Sequence, residues 1–232
     1  MYTRRQARLR RYDVRFTLLD GSEITTSVHT LLNAGYAGRS QDDVAAHVKE
    51  LAELGVPAPS VTPALYPVAP YLAQQADAVP AQHGRTSGEA EWALVITDDG
   101  VLLTAACDHT DRELEVHGVA WSKNAAPDVL ARKAWRLDDL ADLDSVRLQS
   151  WVDGALLQDG TLAELLTPQY WLPVLEARGL AKPGTVLLSG TLPMDPAVDQ
   201  FGTSWRVALT DPATGDVIDL AYTVETLPEP IG

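Results

Sequence analysis

The chain has a single cysteine, Cys107, so no internal disulfide can form, and it has no Cys-X-X-Cys pair or Cys/His cluster with zinc spacing. A reducing compartment suits such a chain, and the thiol reads as a buried apolar side chain. Basic charge is scarce as well: 18 Lys and Arg stand against 32 Asp and Glu, for a formal net charge of -14. Binding a phosphate backbone needs a basic surface, which excludes nucleic acid as the main partner. No apolar run reaches the length of a signal-peptide core or a membrane span, which argues against a membrane partner. A Gly-rich phosphate loop is missing, and so is the βα alternation of a dinucleotide-binding fold. These absences leave a cytoplasmic protein whose partners are small molecules or other proteins.

With 232 residues, 46% of them hydrophobic, the chain can bury a full core. Its first eleven residues carry Arg4, Arg5, Arg8, Arg10 and Arg11 and no acid, a basic N-terminal arm. Val14, Phe16 and Leu18 alternate, Asp20-Gly21 supplies a tight turn, and Ile24 and Val28 resume the alternation, predicting a β-hairpin. From Ser40 as N-cap, "SQDDVAAHVKELAELG" puts Val44, Val48, Leu51 and Leu54 on one helical stripe and stops at Gly55. Residues 57–82 hold six prolines and little periodicity, predicting a long ordered connection. Thr161 and Glu164 read as a capping box opening a helix over 161–180 that ends near Gly179. Elsewhere strands dominate. The expected fold class is therefore α+β, mainly β, with residues 1–56 forming an arm, hairpin and helix and residues 57–232 the main β domain.

The stretch "TSGEAEWALVI", residues 86–96, reads as a strand with Glu89, Glu91, Ala93 and Val95 on one face. Both faces turn apolar after Glu91, so the glutamates stand at the rim of a buried region rather than on a solvated face. The next strand, "VLLTAACD", ends at Asp108. A hairpin closing through residues 99–100 sets Asp108 opposite Glu91, and one closing through 97–100 sets it opposite Glu89, whereas a three-residue loop turns it to the other face. Either even register gathers three carboxylates, which repel by roughly 1 kcal/mol per pair in water and by more when buried. A hard divalent cation with oxygen ligands neutralises such a set, Mg²⁺ or Mn²⁺ first and Ca²⁺ also compatible. His109, beside Asp108, is a candidate to face the substrate.

"GEAEWALVI" followed by "CDHTDRE" resembles the Glu-X-Glu and later Asp of the fumarylacetoacetate hydrolase superfamily. "WSKNAAP" resembles that superfamily's lysine segment, "PGTVLLSGTLP" its Pro-Gly…Gly-Thr segment, and "AAHVKEL" its lid helix, all in the expected order. The "CDHTDR" and "ETLP" segments look most like its DUF2848 branch. The resemblance implies a mixed β-roll of the type found in the superfamily's C-terminal domain, with the N-terminal hairpin and lid helix attached, assembled as a homodimer. It further implies one Mg²⁺ or Mn²⁺ and hydrolysis of a C–C bond in a small 2-oxo acid or acylpyruvate-like diketone. Decarboxylation, tautomerisation or hydration of a related oxo acid is the alternative, and a non-catalytic small-molecule-binding relative is another. By the same resemblance Glu89, Glu91 and Asp108 match the metal ligands, Lys123 the active-site lysine, and His47 with Glu50 the catalytic lid pair. Arg112, Gly190 and Thr191 match residues that bind the substrate. The chain departs from the pattern at Cys107, where the motif has Asn, and in lacking phenylalanines after Lys123.

Overall fold

The computed structural model describes residues 12–53, 55–229 and 231, leaving out the side chains of Gln41, His47, Glu50 and Leu51. Strands β1 (Tyr12–Thr17) and β2 (Glu23–Val28) form the expected hairpin. Its loop spans 18–22, closed by the Leu18 N–H donating to the Ser22 carbonyl at 2.9 Å and by the Asp20 carboxylate accepting from the Ser22 N–H at 2.8 Å. Then come β3 (Thr30–Gly35), α1 (Gln41–Glu53), β4 (Ala64–Val68), β5 (Ala73–Gln74) and β6 (Ala78–Ala81). The long strands β7 (Thr86–Thr97) and β8 (Gly100–Asp111) follow, then α2 (Val119–Lys123), β9 (Asp128–Leu130) and β10 (Trp135–Arg136). The chain continues with β11 (Arg147–Val152), β12 (Ala155–Thr161), α3 (Pro168–Ala177), β13 (Thr185–Leu188), β14 (Ser204–Thr210) and β15 (Val217–Thr226). None of the described helices is long and apolar enough to cross a membrane.

Two sequence expectations change. The proline-rich segment is not a bare connection: its β4 pairs with β3, its β5 with β9 and its β6 with β15, so it stitches two sheets together. The Thr161–Glu164 capping box is real, the Glu164 carboxylate accepting from the Thr161 N–H at 3.0 Å, but it closes a single 3₁₀ turn. The α-helix starts only at Pro168, capped by the Thr167 hydroxyl, because the proline ring presets helical φ at a first-turn position where no N–H is needed.

The larger sheet runs β4-β3-β13-β7-β8-β9-β5, with β10 also on β8, and mixes parallel pairs (β3/β13, β5/β9) with antiparallel ones. The smaller sheet runs β12-β11-β14-β15-β6. One face of β7–β8, carrying Trp92, Leu94, Leu103 and Cys107, packs on Leu148, Trp205, Val207 and Leu209 of the smaller sheet. That packing explains Gly88: a Cβ there would lie 2.7 Å from Cys107 Sγ, Trp205 Cε3 and Tyr222 Oη alike. The opposite face, with Ala93, Val95, Leu102 and Leu130, receives Val14, Phe16, Ile24 and Val28 from the β1–β2 hairpin.

The larger sheet is curled, and one hydrogen bond measures the curl. Asn33 on β3 and Asp128 on β9 are four strand spacings apart, roughly 19 Å in a flat sheet. Yet Asn33 Nδ2 donates to Asp128 Oδ1 at 3.1 Å. Inside this roll the hairpin fills one end with apolar side chains, and the polar face of β7–β8 faces the other.

Candidate metal centre

β7 and β8 pair through Thr97↔Gly100, leaving Asp98-Asp99 as the turn and setting Glu89 opposite Asp108. Of the registers open to the sequence, this is the one that closes through 97–100. Alternation then puts Ser87, Glu89, Glu91, Asp108 and Thr110 on the inner face. One oxygen from each of Glu89, Glu91 and Asp108 lies within 4.8 Å of the others. Glu91 and Asp108 have no solvent exposure, and Glu89 is largely buried. The residues Glu91 and Asp108 therefore carry charge, or a proton, into the roll.

Cationic side chains close the open side. Helix α2 ends at Lys123, whose ammonium bonds Glu89 Oε2 at 3.1 Å and also Asp108 Oδ2. Asn124, the helix C-cap, accepts from the Ala69 N–H at 2.9 Å and fastens this helix to the segment after β4. Arg112 donates to Glu89 Oε1 at 2.8 Å, Glu115 Oε1 at 3.1 Å and Ser87 Oγ at 2.6 Å. From behind, the Gly190 N–H donates to Glu91 Oε2 at 2.7 Å. Gly190 holds φ +84, and a Cβ there would crowd Ala37 Cβ at 3.1 Å and Ala34 O at 3.2 Å, so the close approach needs glycine.

Each charge feels this arrangement differently. Burial alone would raise Glu89, but Lys123 and Arg112 outweigh it and hold the carboxyl down at about 2. Burial pushes Glu91 well above the usual range; Lys123 pulls it back, and Asp108 and Glu89 push it further up. Lys123 is raised because Asp108 and Glu89 outweigh its own burial. After these bonds, Glu91 Oε1 and Asp108 Oδ1 remain buried without any hydrogen-bond donor. Buried carboxylate oxygens without donors are costly unless a cation or a proton meets them. A hard divalent cation fits this all-oxygen donor set.

Of the residues expected from the sequence, the structure brings together Glu89, Glu91, Asp108, Lys123, Arg112 and the Gly190 N–H. Thr191 lies next to them with its hydroxyl turned to the backbone: it donates to the Ala90 carbonyl at 2.8 Å and accepts from Gln158 Nε2 at 2.7 Å. His109 is not in the site. One residue beyond Asp108 on a strand means the opposite face, and there it bonds Tyr222 Oη at 3.0 Å and Thr86 Oγ1 at 2.9 Å, edge-on to Trp205. His47 and Glu50 sit on α1 one turn apart, with side chains outside the described residues.

Burial depresses His109 to about 4, Arg112 adding to the effect. A histidine kept neutral when folded takes up its proton more readily unfolded, so stability is present above pH 6.5 and is lost as the pH falls towards 4. The expected loss reaches about 3 kcal/mol across that window. Urea unfolding at pH 7, 6, 5 and 4 measures it, compared with His109→Gln, which has no proton to gain; identical slopes in the two proteins would refute the assignment.

The sequence reading missed Asp128, Asn33, Glu115, Gln158, Tyr36 and Tyr66. Gln158 reaches across from the smaller sheet, accepts from the Ala90 N–H at 3.0 Å and donates to the Leu192 carbonyl at 2.6 Å, pinning the loop that carries Gly190 onto β7. Tyr36 has φ 56, a left-handed backbone that is uncommon outside glycine. Burial, then Tyr66 and Glu115, raises its phenol to about 12. Only positive φ at a non-glycine would have flagged Tyr36, and that is invisible in sequence.

A family model described as "Protein of unknown function (DUF2848)" matches residues 34–222. No curated protein matches the chain. Among solved structures, a fumarylpyruvate hydrolase candidate from Burkholderia cenocepacia is similar at 16% identity and TM-score 0.66, with 98% of this chain and 97% of that one covered. The fumarylpyruvate hydrolase from Pseudomonas aeruginosa, in complex with Mn²⁺ and pyruvate, is 16% identical with TM-score 0.63, covering 93% of this chain and 97% of its own. A 5-carboxymethyl-2-hydroxymuconate delta-isomerase from Mycobacterium smegmatis is 16% identical with TM-score 0.60, covering 94% and 99%. At such identity the likeness establishes the fold.

Proposed function

Since this chain belongs to the DUF2848 family and has the fold of fumarylacetoacetate hydrolase proteins, we propose that its carboxylate centre makes it a divalent-cation-dependent hydrolase cleaving a C–C bond in a small 2-oxo acid or acylpyruvate. The observation that carries the reading is the pair of donorless buried oxygens, Glu91 Oε1 and Asp108 Oδ1, beside Glu89 and Lys123. Glu89, Glu91 and Asp108 would hold Mg²⁺ or Mn²⁺, which would supply Lewis-acid chemistry at this edge of the site. Lys123 adds a fixed positive charge at the same edge, preorganised by its bond to Glu89 Oε2 so that no reorganisation is needed as charge develops. Arg112 positions Glu89 through Nη1, which it shares with Glu115, and holds Ser87 through Nε, leaving Nη2 for the substrate. His47 takes the proton of the attacking water, and Glu50, one helical turn later, orients the imidazole. A small-molecule substrate, a cytoplasmic setting and a homodimer go with this reading. Among similar structures, a hydrolase with Mn²⁺ and a dehydratase with magnesium support cation chemistry, while the presence of an isomerase beside them leaves the reaction to experiment.

The test is a screen of acylpyruvates and 2-oxo acids with Mg²⁺ or Mn²⁺ present, run in ¹⁸O-labelled water. Turnover with label in the released acid is the expected result. Turnover without label replaces hydrolysis with decarboxylation or tautomerisation, and label in an uncleaved product replaces it with hydration. Cation binding with no turnover across the panel makes the protein a binding module, and a thermal unfolding curve indifferent to both cations removes the cation reading altogether.

A further inference from the structure

The roll contains a fourth carboxylate that the three-carboxylate site does not use. Asp128 stands directly opposite Asp108 across the β8–β9 pair, so the two side chains share the inner face. It has no solvent exposure, and one of its oxygens is committed: Oδ1 accepts from Asn33 Nδ2. Its other oxygen, Oδ2, has no donor, and neither does Asn33 Oδ1. Asn33 is itself fully buried and belongs to a strand on the far side of the curl. Four carboxyl and amide oxygens inside the roll thus have no donor, Glu91 Oε1, Asp108 Oδ1, Asp128 Oδ2 and Asn33 Oδ1, and the Thr110 hydroxyl on the same face is also without a partner.

These acceptors divide by chemistry. Glu91 and Asp108 belong to the set that converges within 4.8 Å, whereas Asp128 does not. Asp128 and Asn33 therefore need protons rather than a shared cation, and an amide oxygen beside a carboxylate oxygen suits water as the donor. We propose that Asp128, aimed by Asn33, is the outer carboxylate of the cation site and accepts hydrogen bonds from the hydration shell of the cation that Glu89, Glu91 and Asp108 hold. This rests on the cation reading of the same site. Asn33 is a positioning residue: it fixes Asp128 Oδ1 so that Oδ2 is left facing the interior. The pair also accounts for the close contact of β3 with β9, since a roll that closes on a polar bond at this depth otherwise places two costly groups in its core for no return.

The experiment is Mn²⁺ titration by calorimetry and electron spin resonance on the wild type, Asp128→Asn and Asn33→Ser, with water proton relaxation of the bound Mn²⁺ and the unfolding temperature of the cation-free proteins. Asp128→Asn keeps the shape, and its amide can still meet Asn33. The expected result is a 10- to 100-fold weaker Mn²⁺ affinity, of the order seen when groups behind metal ligands are removed. A changed relaxivity and a cation-free unfolding temperature at or above wild type accompany it, and Asn33→Ser shows the smaller loss in the same direction. Equal Mn²⁺ affinity in Asp128→Asn overturns the proposal and leaves the cation reading standing. A lower affinity with unchanged relaxivity and a lower unfolding temperature also overturns it, assigning Asp128 to packing. A wild type that binds no Mn²⁺ removes the cation reading first, which separates the two failures.

Discussion

Replacing Lys123 with methionine is expected to cost the cation-free protein about 3–5 kcal/mol of stability, the range found when one partner of a buried ion pair is removed. Lys123 is 4% exposed and is the ammonium that bonds both Asp108 and Glu89. Asp108 and Glu89 keep it charged across the neutral range against the effect of burial. Methionine fills the same volume but leaves Asp108 facing Glu91 with no counter-charge, while Arg112 still serves Glu89 Oε1. The nearest remaining source of compensation is a cation bound by the carboxylates themselves. Saturating Mn²⁺ at a hundredfold over its dissociation constant returns about 2.7 kcal/mol by mass action, so most of the loss is expected to be recovered. Under the proposed function turnover does not return with it, because Lys123 is the charge proposed to face the substrate. Urea midpoints with and without Mn²⁺ decide the matter: an unchanged midpoint in Lys123→Met, or a loss that Mn²⁺ leaves untouched, contradicts the arrangement described for this site.

How much of this was legible in the sequence follows the range of the interactions involved. The β1–β2 hairpin and helix α1 are written in local alternation and capping, and both are present. The three carboxylates were legible because strand alternation and an even register bring Glu89, Glu91 and Asp108 together whichever of two turns closes the hairpin. Lys123 and Gly190 were reached only through resemblance, since nothing local tells a buried lysine at the end of a five-residue helix from a surface one. His109 shows the opposite failure. Adjacency in sequence suggested adjacency in space, and a strand reverses that inference at every residue.

The residues that went unread depend on contacts between distant segments. Asp128 follows a proline in an unremarkable stretch and matters because β9 lies beside β8. Asn33 sits in an apolar strand and meets Asp128 only because the sheet curls over four strands. Gln158 belongs to the other sheet altogether. In the same way, the prolines of 57–82 signalled a connection correctly but hid three short strands, because pairing was supplied by partners far along the chain. A capping box likewise marked a real chain reversal at Thr161 and could not say whether one turn or four would follow.

Glu89 and Glu91, two residues apart on one strand face, are expected to respond to pH in opposite senses. Glu89 is depressed to about 2, so its stabilising contribution is present above its unfolded value near 4.5 and is lost as the pH falls towards 2. Glu91 is raised by burial and by its neighbours. The folded state therefore keeps a proton that the unfolded chain has given up, and the cation-free protein loses stability as the pH rises above 4.5, by up to about 1.4 kcal/mol per pH unit. Glu91→Gln has no such proton. Its carbonyl still accepts from the Gly190 N–H, and its amide puts a donor at the position where Glu91 Oε1 has no partner. In EDTA at pH 8, Glu91→Gln should therefore match or exceed the wild type in urea midpoint, with the gap closing towards pH 4.5. Under the proposed cation reading the same substitution removes one of the three carboxylates, so Mn²⁺ affinity should fall by at least about 100-fold, beyond the loss typical of groups behind the ligands, and cation-dependent turnover with it. A residue present only for stability cannot produce a protein that is firmer without the cation and unable to bind it. If Glu91→Gln instead unfolds earlier than wild type at pH 8 and binds Mn²⁺ as well, Glu91 is a structural acid and the cation centre has been wrongly placed.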